Sequence, residues 1–522
     1  MDATVELPES FAAKHRASKK RISADRSIKL FFGSNALVAI VVLALITVFL
    51  FREGFGFFGQ NLTGIRLYRE SGLEYVDIMR QYSEAHAALS RGLNTLRLRQ
   101  FRAAQRAGVP LEQSNASLAP FDQFATAFSD AAEPLHGLVS DSGEQASALK
   151  AQLAAQLGLL DRNEDSTAAV AVPPVAREQQ LAQLRESAAA FDGIAATVQT
   201  QVTNLLAAPP EVTDPATREA FSKWQHRVRD YVHGLGEGGT RLRAWSSEKP
   251  VAWHRALTSF LFGRDWVTAS FWQDWYGIIP LFVGSVMVSA VALLIAVPLG
   301  VMSAIYVSEV ASLREKRFIK PYIEFISAIP SVVLGFFGIA VVGQAVRAAT
   351  QSSWLSWVSF FPISERLNIF TAGCLLALMA VPTIFTLAED ALRNVPRGFK
   401  EASYALGANR LQTIARVLVP ASLSGIVSAI LLGLGRVIGE TMVVLLCAGN
   451  RIEIPDFTES LGAFFQPAHT MTGIIAQEMG EVVRGSIHYR ALFMVGLVLF
   501  VITLGINYLA QRLVARYRMS IG

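Results

Sequence analysis

The chain is 522 residues long, 52% hydrophobic and 17% charged, with a net charge of +5. That length allows two or three domains, and that balance lies on the membrane side of the usual range. Both cysteines, Cys374 and Cys447, fall in apolar stretches, which excludes a disulfide framework.

In chain order, a basic tail comes first. Lys14, Arg16, Lys19, Lys20, Arg21, Arg26 and Lys29 precede a charge-free stretch over 30–51. At 1.5 Å per residue that stretch crosses ~30 Å of hydrocarbon. The predicted order is thus a cytoplasmic tail over 1–29 and a first transmembrane helix over 30–52. Its apolar core exceeds 20 residues and no small-residue cleavage pattern precedes Phe55-Gly56-Phe57-Phe58, so it reads as retained rather than as a signal peptide.

Residues 53–276 have the composition of a soluble, extracytoplasmic domain. Leu181, Leu184, Ala188, Phe191, Ala195, Val198, Val202 and Leu205 repeat at steps of three and four, the seam of a coiled-coil-like helix. Leu89, Leu93 and Leu96 suggest a helix within 70–107, Phe121, Phe124 and Phe128 one over 120–160, and a fourth is read over 215–246. Pro110, the stretch 166–174 and Pro209-Pro210 separate them, which predicts a four-helix-bundle-like insertion. His86, His136, His226 and His233 lack metal-ligand spacing, so neither a metal site nor a catalytic set is expected.

Further spans are predicted over 277–308, 325–346, 367–388, 422–449 and 491–510, six in all, within a core over 277–513 and before a cytoplasmic tail over 514–522. The basic clusters Arg314, Lys316, Arg317, Lys320; Arg393, Arg397, Lys400, Arg410, Arg416; and Arg512, Arg516, Arg518 then fall on one side, as does the N-terminus. Split among juxtamembrane loops without an aromatic platform, these basic residues exclude nucleic-acid binding.

The fifth span carries Arg436 and Glu440. An ionised side chain at bilayer depth costs at least ~2.5–3.5 kcal/mol, so such residues face a partner, a cavity or a substrate path. A guanidinium presents a planar fork of donors suited to tetrahedral oxyanions. Glu440, four residues on, is expected on the same helical face, either offsetting the arginine or accepting the proton of a hydrogen phosphate. The competing reading is a buried ion pair that only fixes helix packing. A membrane sensor with a helical-bundle input domain is a second competitor, but the cytoplasmic pieces are too short to hold a signalling module. Thr441 and Ser331 are candidate hydroxyl donors on the same path, although a hydroxyl on a membrane helix often bonds its own backbone.

Glu401-Ala402-Ser403, three residues, Gly407, nine residues, Val417, one residue and Val419-Pro420 follow the pattern EAA-x3-G-x9-I-x-LP, with Ser for the last Ala and Val for Ile and Leu. This resembles the cytoplasmic loop of ABC importer permeases, here spanning 389–420. The segments GRVIGETMVVLLCAGN, YGIIPLFVGSVMVSAVALLIAVPLGVMSAIYVSE, AIPSVVLGFFGI and MGEVVRGSIHYRALFMVGLVLFVITLGIN resemble, in order, those of the PstC family of phosphate importer permeases, over roughly 255–515. An R-x-x-G-E pattern also resembles molybdate and sulfate permeases. The resemblance implies an all-α membrane fold with a MetI-like five-helix core and a bacterial inner-membrane location. It further implies a separate ABC ATPase subunit docking on Glu401, Ala402, Ser403 and Gly407, a PstA-like second permease subunit, an extracytoplasmic phosphate-binding protein, and phosphate as cargo. No cofactor is expected, and with no Gly-Lys dipeptide the chain has no P-loop of its own.

Overall fold

The computed structural model describes residues 9–157 and 174–517, apart from 269, 271, 353, 354, 356, 359, 360 and 364. The stretch 166–173, residues 518–522 of the expected tail, and the side chains of the N-terminal basic cluster through Arg26 lie outside the described residues. Two compact units share the chain, one drawing on Met1–Gly59, Thr258–Trp266 and Trp275–Gly522, the other on Gln60–Leu257 and Val267–Asp274.

The second unit is built from the end of α1 (Glu9–Glu70) and from α2 (Leu73–Arg106), α3 (Leu111–Asp130), α4 (Glu133–Gln156), α5 (Pro174–Ala207) and α6 (Pro215–Arg243). Gly72, at φ 82°, separates α1 from α2, and a Cβ there would also sit 2.9 Å from Leu184. Only glycine enters that left-handed conformation without strain. The seam from Leu181 to Val202 is buried throughout, as its spacing dictates. Phe121, Phe124 and Phe128 of α3 meet Phe221 and Trp224 of α6, and the Trp224 indole N–H donates to the Leu89 carbonyl at 2.9 Å. Asp214 caps α6 by accepting from the Thr217 amide at 2.8 Å, with Pro215 in the first turn. The helix expected over 120–160 is two, since the chain breaks at Ala131-Ala132 just before Pro134, which lacks the N–H a continuous helix would use there.

The first unit contains α7 (His254–Leu261) in part, a strand pair (Trp266–Val267 with Trp275–Tyr276), and the apolar helices. In order these are α8 (Ile279–Ile305), α9 (Leu313–Ser327), α10 (Ser331–Phe337), α11 (Gly343–Thr350), α12 (Ile369–Arg393), α13 (Arg397–Ala405), α14 (Arg410–Thr413), α15 (Val419–Ala421), α16 (Leu423–Gly439), α17 (Met442–Cys447), α18 (Met471–Glu478) and α19 (Ile487–Tyr517). Single π-helical turns close α8 (Tyr306–Val310), join α10 to α11 (Gly338–Val342) and precede α15 (Ile414–Leu418). Among the described residues five helices are long and apolar enough to cross a membrane, and a sixth crossing forms when Arg410–Ala421 and Leu423–Gly439, bent by 68°, are taken together.

The centre of this unit is α8 against α12, with α16 lying on α12, α8 and α19. Small residues run through its aliphatic core: Ala292, Ala296, Ala372, Ala377 and Ala380 are buried, and a Cβ on Gly373 would come within 2.5 Å of Val291. Small side chains let helix backbones approach closely, which is how helices associate where lipid tails are as apolar as leucine. A main-chain bond fastens the start of α12 to the loop after α17, the Ile369 amide donating to the Gln466 carbonyl at 3.1 Å, and the same loop returns to the end of α17, the Ala468 amide donating to the Ala448 carbonyl at 2.9 Å. Phe57, Phe260, Trp266, Tyr276 and Ile278 form a second cluster with Ala491, Leu492 and Val495 of α19.

Candidate functional site

α16 ends at Gly439, one turn past the arginine. Arg436 is exposed and donates one hydrogen bond, from Nη1 to the Thr383 hydroxyl of α12 at 2.9 Å. Leu432, Gly435, Arg436 and Gly439 recur at helical spacing and form one face of α16, and a Cβ on either glycine would meet nothing within 4 Å. The guanidinium therefore stands on an open, glycine-lined face rather than sealed among packed side chains. Four of its five N–H donors keep no partner among the described residues, which is the arrangement an incoming oxyanion needs.

Glu440, the residue after Gly439, is the C-cap of α16. At ψ 131° it has left the helix, and the chain turns through Thr441 into α17. The turn is held from two sides: the Glu440 carboxylate accepts from the Met442 amide at 3.2 Å, and its carbonyl accepts from the Thr472 hydroxyl at 2.9 Å. Among the described residues Arg436 and Glu440 form no ion pair, so the packing-pair reading loses its basis. The Thr441 hydroxyl donates to the Gly439 carbonyl at 3.4 Å, a local backbone bond. Ser331 is the half-buried first residue of α10, and no hydrogen bond or ion pair joins it to Arg436, Glu440 or Thr441 among the described residues. Thus Glu440 and Thr441 share the break, Arg436 stands one turn before it, and Ser331 belongs to another element.

Sequence reasoning missed Thr383, Thr470 and Thr472. Thr383 follows Pro382 inside α12, and its role depends on a partner 53 residues away, which no local pattern carries. Thr470 was legible as a cap, since it precedes α18 and accepts from the Gly473 amide at 3.1 Å. Beside it the His469 ring accepts from the Thr470 amide through Nδ1 at 3.0 Å, which leaves Nε2–H to face Gln477 Oε1 at 3.1 Å.

Beyond the end of α12, the loop motif forms a compact helical hairpin. Glu401 and Ala402 are exposed on α13, while Ser403 is buried with its hydroxyl 2.9 Å from that of Thr413 on α14. Serine in place of the pattern's last alanine thus ties α13 to α14. Gly407 turns the chain at φ 82°, and Asn409 with Gln412 forms a capping box for α14. Phe399, Tyr404, Leu406 and Leu411 are exposed around Glu401, with Leu406 at 89%. That apolar rim on a polar, helix-connecting loop is a protein-docking surface in composition. At the opposite end of α12, Glu365, Arg366, Asn450 and Arg451 line a cavity of about 450 Å³. Among the described residues no group of three or more His, Cys, Asp or Glu could hold a metal ion.

Apolar helices around a small-residue core, one of them broken beside a guanidinium, together with an exposed hairpin loop, define a multi-pass membrane permease. Residues 296–519 match the binding-protein-dependent transport system inner membrane component family. The chain is 32% identical over 272 residues to the phosphate transport system permease protein PstC of Pasteurella multocida, covering 51% of this chain and 82% of that one. It is 36% identical over 242 residues to the probable ABC transporter permease protein YqgH of Bacillus subtilis, 45% of this chain and 72% of the relative. The chain belongs to the PstC family of ABC transporter permeases. An inward-facing MetNI methionine ABC transporter aligns at 20% identity with a TM-score of 0.34, over 46% of this chain and 94% of that one. The family match lies in the second half of the chain, and the helical unit of Gln60–Leu257 lies outside it.

Proposed function

We propose that this chain is the membrane permease subunit of an ATP-driven phosphate importer, and that phosphate passes along the open face of α16 over Arg436. The observation that carries the reading is Arg436 itself, exposed on a glycine-lined face with a single hydrogen bond to Thr383. A permanently charged fork binds an oxyanion by paired hydrogen bonds, and Thr383 holds it in orientation. Glu440, at the break, offers a carboxylate oxygen to the proton of hydrogen phosphate. Sulfate carries no such proton at neutral pH and meets a lone-pair clash instead, so the selectivity is by repulsion. Thr441 supplies a hydroxyl at the same turn, and Ser331 a further one from α10.

The chain breaks no bond, and its energy comes from a partner. An ABC ATPase docks on the rim around Glu401, Ala402, Ser403 and Gly407 and works the hairpin, while an extracytoplasmic phosphate-binding protein delivers cargo at the other face. A PstA-like permease subunit completes the path by covering the face of α16 that carries Arg436. The chain lies in the bacterial inner membrane among lipid, with both termini cytoplasmic and the helical unit of 53–276 outside.

Radiolabelled phosphate uptake in cells lacking the chain tests this. Wild type should restore uptake and Arg436→Ala should lose it by roughly a hundredfold, the cost of removing a charged donor from a transported anion. Uptake by Arg436→Ala equal to wild type would sink the path, and competition by molybdate or sulfate at equal concentration would reassign the cargo. Glu440→Gln should raise competition by sulfate.

A further inference from the structure

We propose that Glu309, at the end of α8, is the joint through which the α13–α14 hairpin moves that span. The inference rests on reading the hairpin as the ATPase-docking element. Covalently the hairpin leads only to α12 on one side and α16 on the other. α8, which forms the centre of the unit with α12, ends at Ile305, 92 positions before the hairpin starts at Arg397, and is reached through side chains.

The contacts converge on one turn. α8 closes in the π-helical turn Tyr306–Val310, where the last carbonyls of a span lack helical partners and the helix dipole is negative. Three cations arrive there. Lys316 donates to the Ser308 carbonyl at 2.9 Å, Arg410 at the start of α14 donates to the Glu309 carbonyl, and Lys400 of α13 pairs with the Glu309 carboxylate. The Ser308 hydroxyl donates to the other carboxylate oxygen at 3.3 Å. Both helices of the hairpin therefore hold the same residue.

Glu309 is 9% exposed, and a carboxylate buried to that degree is held by its cation, since removing the partner leaves an uncompensated buried charge. Lys400 stands directly before Glu401. The residue that turns back to α8 and the residue that faces outward are thus neighbours on one short helix, so a push on one is felt at the other. Glu389 of α12 provides the contrast. It is buried and paired with Lys320 of α9 at 2.9 Å and with Arg393 at 3.4 Å, none of which belongs to the hairpin. Glu309 alone of these two carboxylates joins the loop to a span that the chain does not connect to it.

The test uses the importer assembled with its partner subunits in proteoliposomes, measuring phosphate moved per ATP hydrolysed. Glu309→Gln and Lys400→Met should assemble and hydrolyse ATP but lose roughly tenfold in phosphate moved per ATP, the size of a typical coupling free energy. The double reversal Glu309→Lys with Lys400→Glu should recover most of that loss. Wild-type coupling in both single variants, or no recovery in the reversal, overturns the joint. A readout independent of cargo is the distance between spin labels at Val310 and Arg397, with Cys374 and Cys447 replaced by serine. It should stay constant across nucleotide states in wild type and vary in Glu309→Gln; variation already in wild type overturns the joint whatever the cargo. A wild type that keeps this distance and hydrolyses ATP but moves no phosphate sinks the cargo assignment and leaves the joint standing.

Discussion

The two units solve helix association in two different solvents. In the helical unit of Gln60–Leu257 the interior is aromatic, with Phe128 and Trp224 at 5.1 Å and Phe221 and Trp224 at 5.4 Å between ring centres. In the membrane unit alanine and glycine are set among aliphatic side chains where helices cross, with Gly373 against Val291 and Gly300 against Ile384. Water rewards burial of area at roughly 25 cal/mol per Å², so a soluble bundle gains most from large rings. Lipid offers no such reward, and helices there gain from close backbone approach. The lesson is that added bulk is worth most where rings stack in the helical unit and least where a glycine meets a neighbouring helix in the membrane unit.

The largest expected effect follows on the soluble side. Trp224→Ala should destabilise the helical unit by about 3–5 kcal/mol, since it empties a fully buried site and removes the indole's bond to the Leu89 carbonyl. Amide hydrogen exchange of α2, α3 and α6 in the intact chain should show the loss, with α8 and α12 unchanged. The matching change in the membrane unit adds rather than removes bulk. Gly373→Leu forces its side chain into Val291 and should cost about 1–3 kcal/mol, seen as a lower melting temperature of the detergent-solubilised permease, whereas Gly137→Leu, where a Cβ meets nothing, should not.

The smallest effect is a slope with pH. His86 is buried against Phe128 at 4.4 Å, its Nε2 lies 2.7 Å from the Phe128 carbonyl, and its Nδ1 has no hydrogen-bond partner among the described residues. Burial holds its pKa below the ordinary histidine value, partly countered by that carbonyl. A depressed folded-state pKa means the unfolded chain takes up the proton first as pH falls. Stability is therefore full above about pH 6.5 and erodes as pH drops from there toward the folded value. Thermal melts of the helical unit across that window should show the decline, and His86→Gln should flatten it; an unchanged slope would clear His86 of the role.

Much of this was legible in the residues. The seam from Leu181 to Val202 and the apolar stretches announced their helices because burial on one side, or on all sides, imposes a spacing that the chain itself displays. What the spacing could not report is where a helix stops for tertiary reasons. Periodicity would run the helix on past Arg436 and Glu440; the chain instead turns after Glu440, whose carbonyl accepts from Thr472, 32 residues later. Likewise Ala131-Ala132 are good helix formers, and only Pro134 beyond them marks the end of α3. Thr383 and Glu309 were invisible for the same reason, since each acquires its role from a cation brought by a distant segment.

The fastenings at the two ends of α12 differ in kind. Near Ile369 the tie is peptide-to-peptide, fixed in length and direction, and costly to unmake once shielded from water. At the far end, about 37 Å along a helix of 25 residues, the tie is a lysine on a flexible stem, Lys320, gripping the Glu389 carboxylate. Of these two fastenings only the second can lengthen or swing without breaking, so any tilt of α12 is expected to be widest where the hairpin begins.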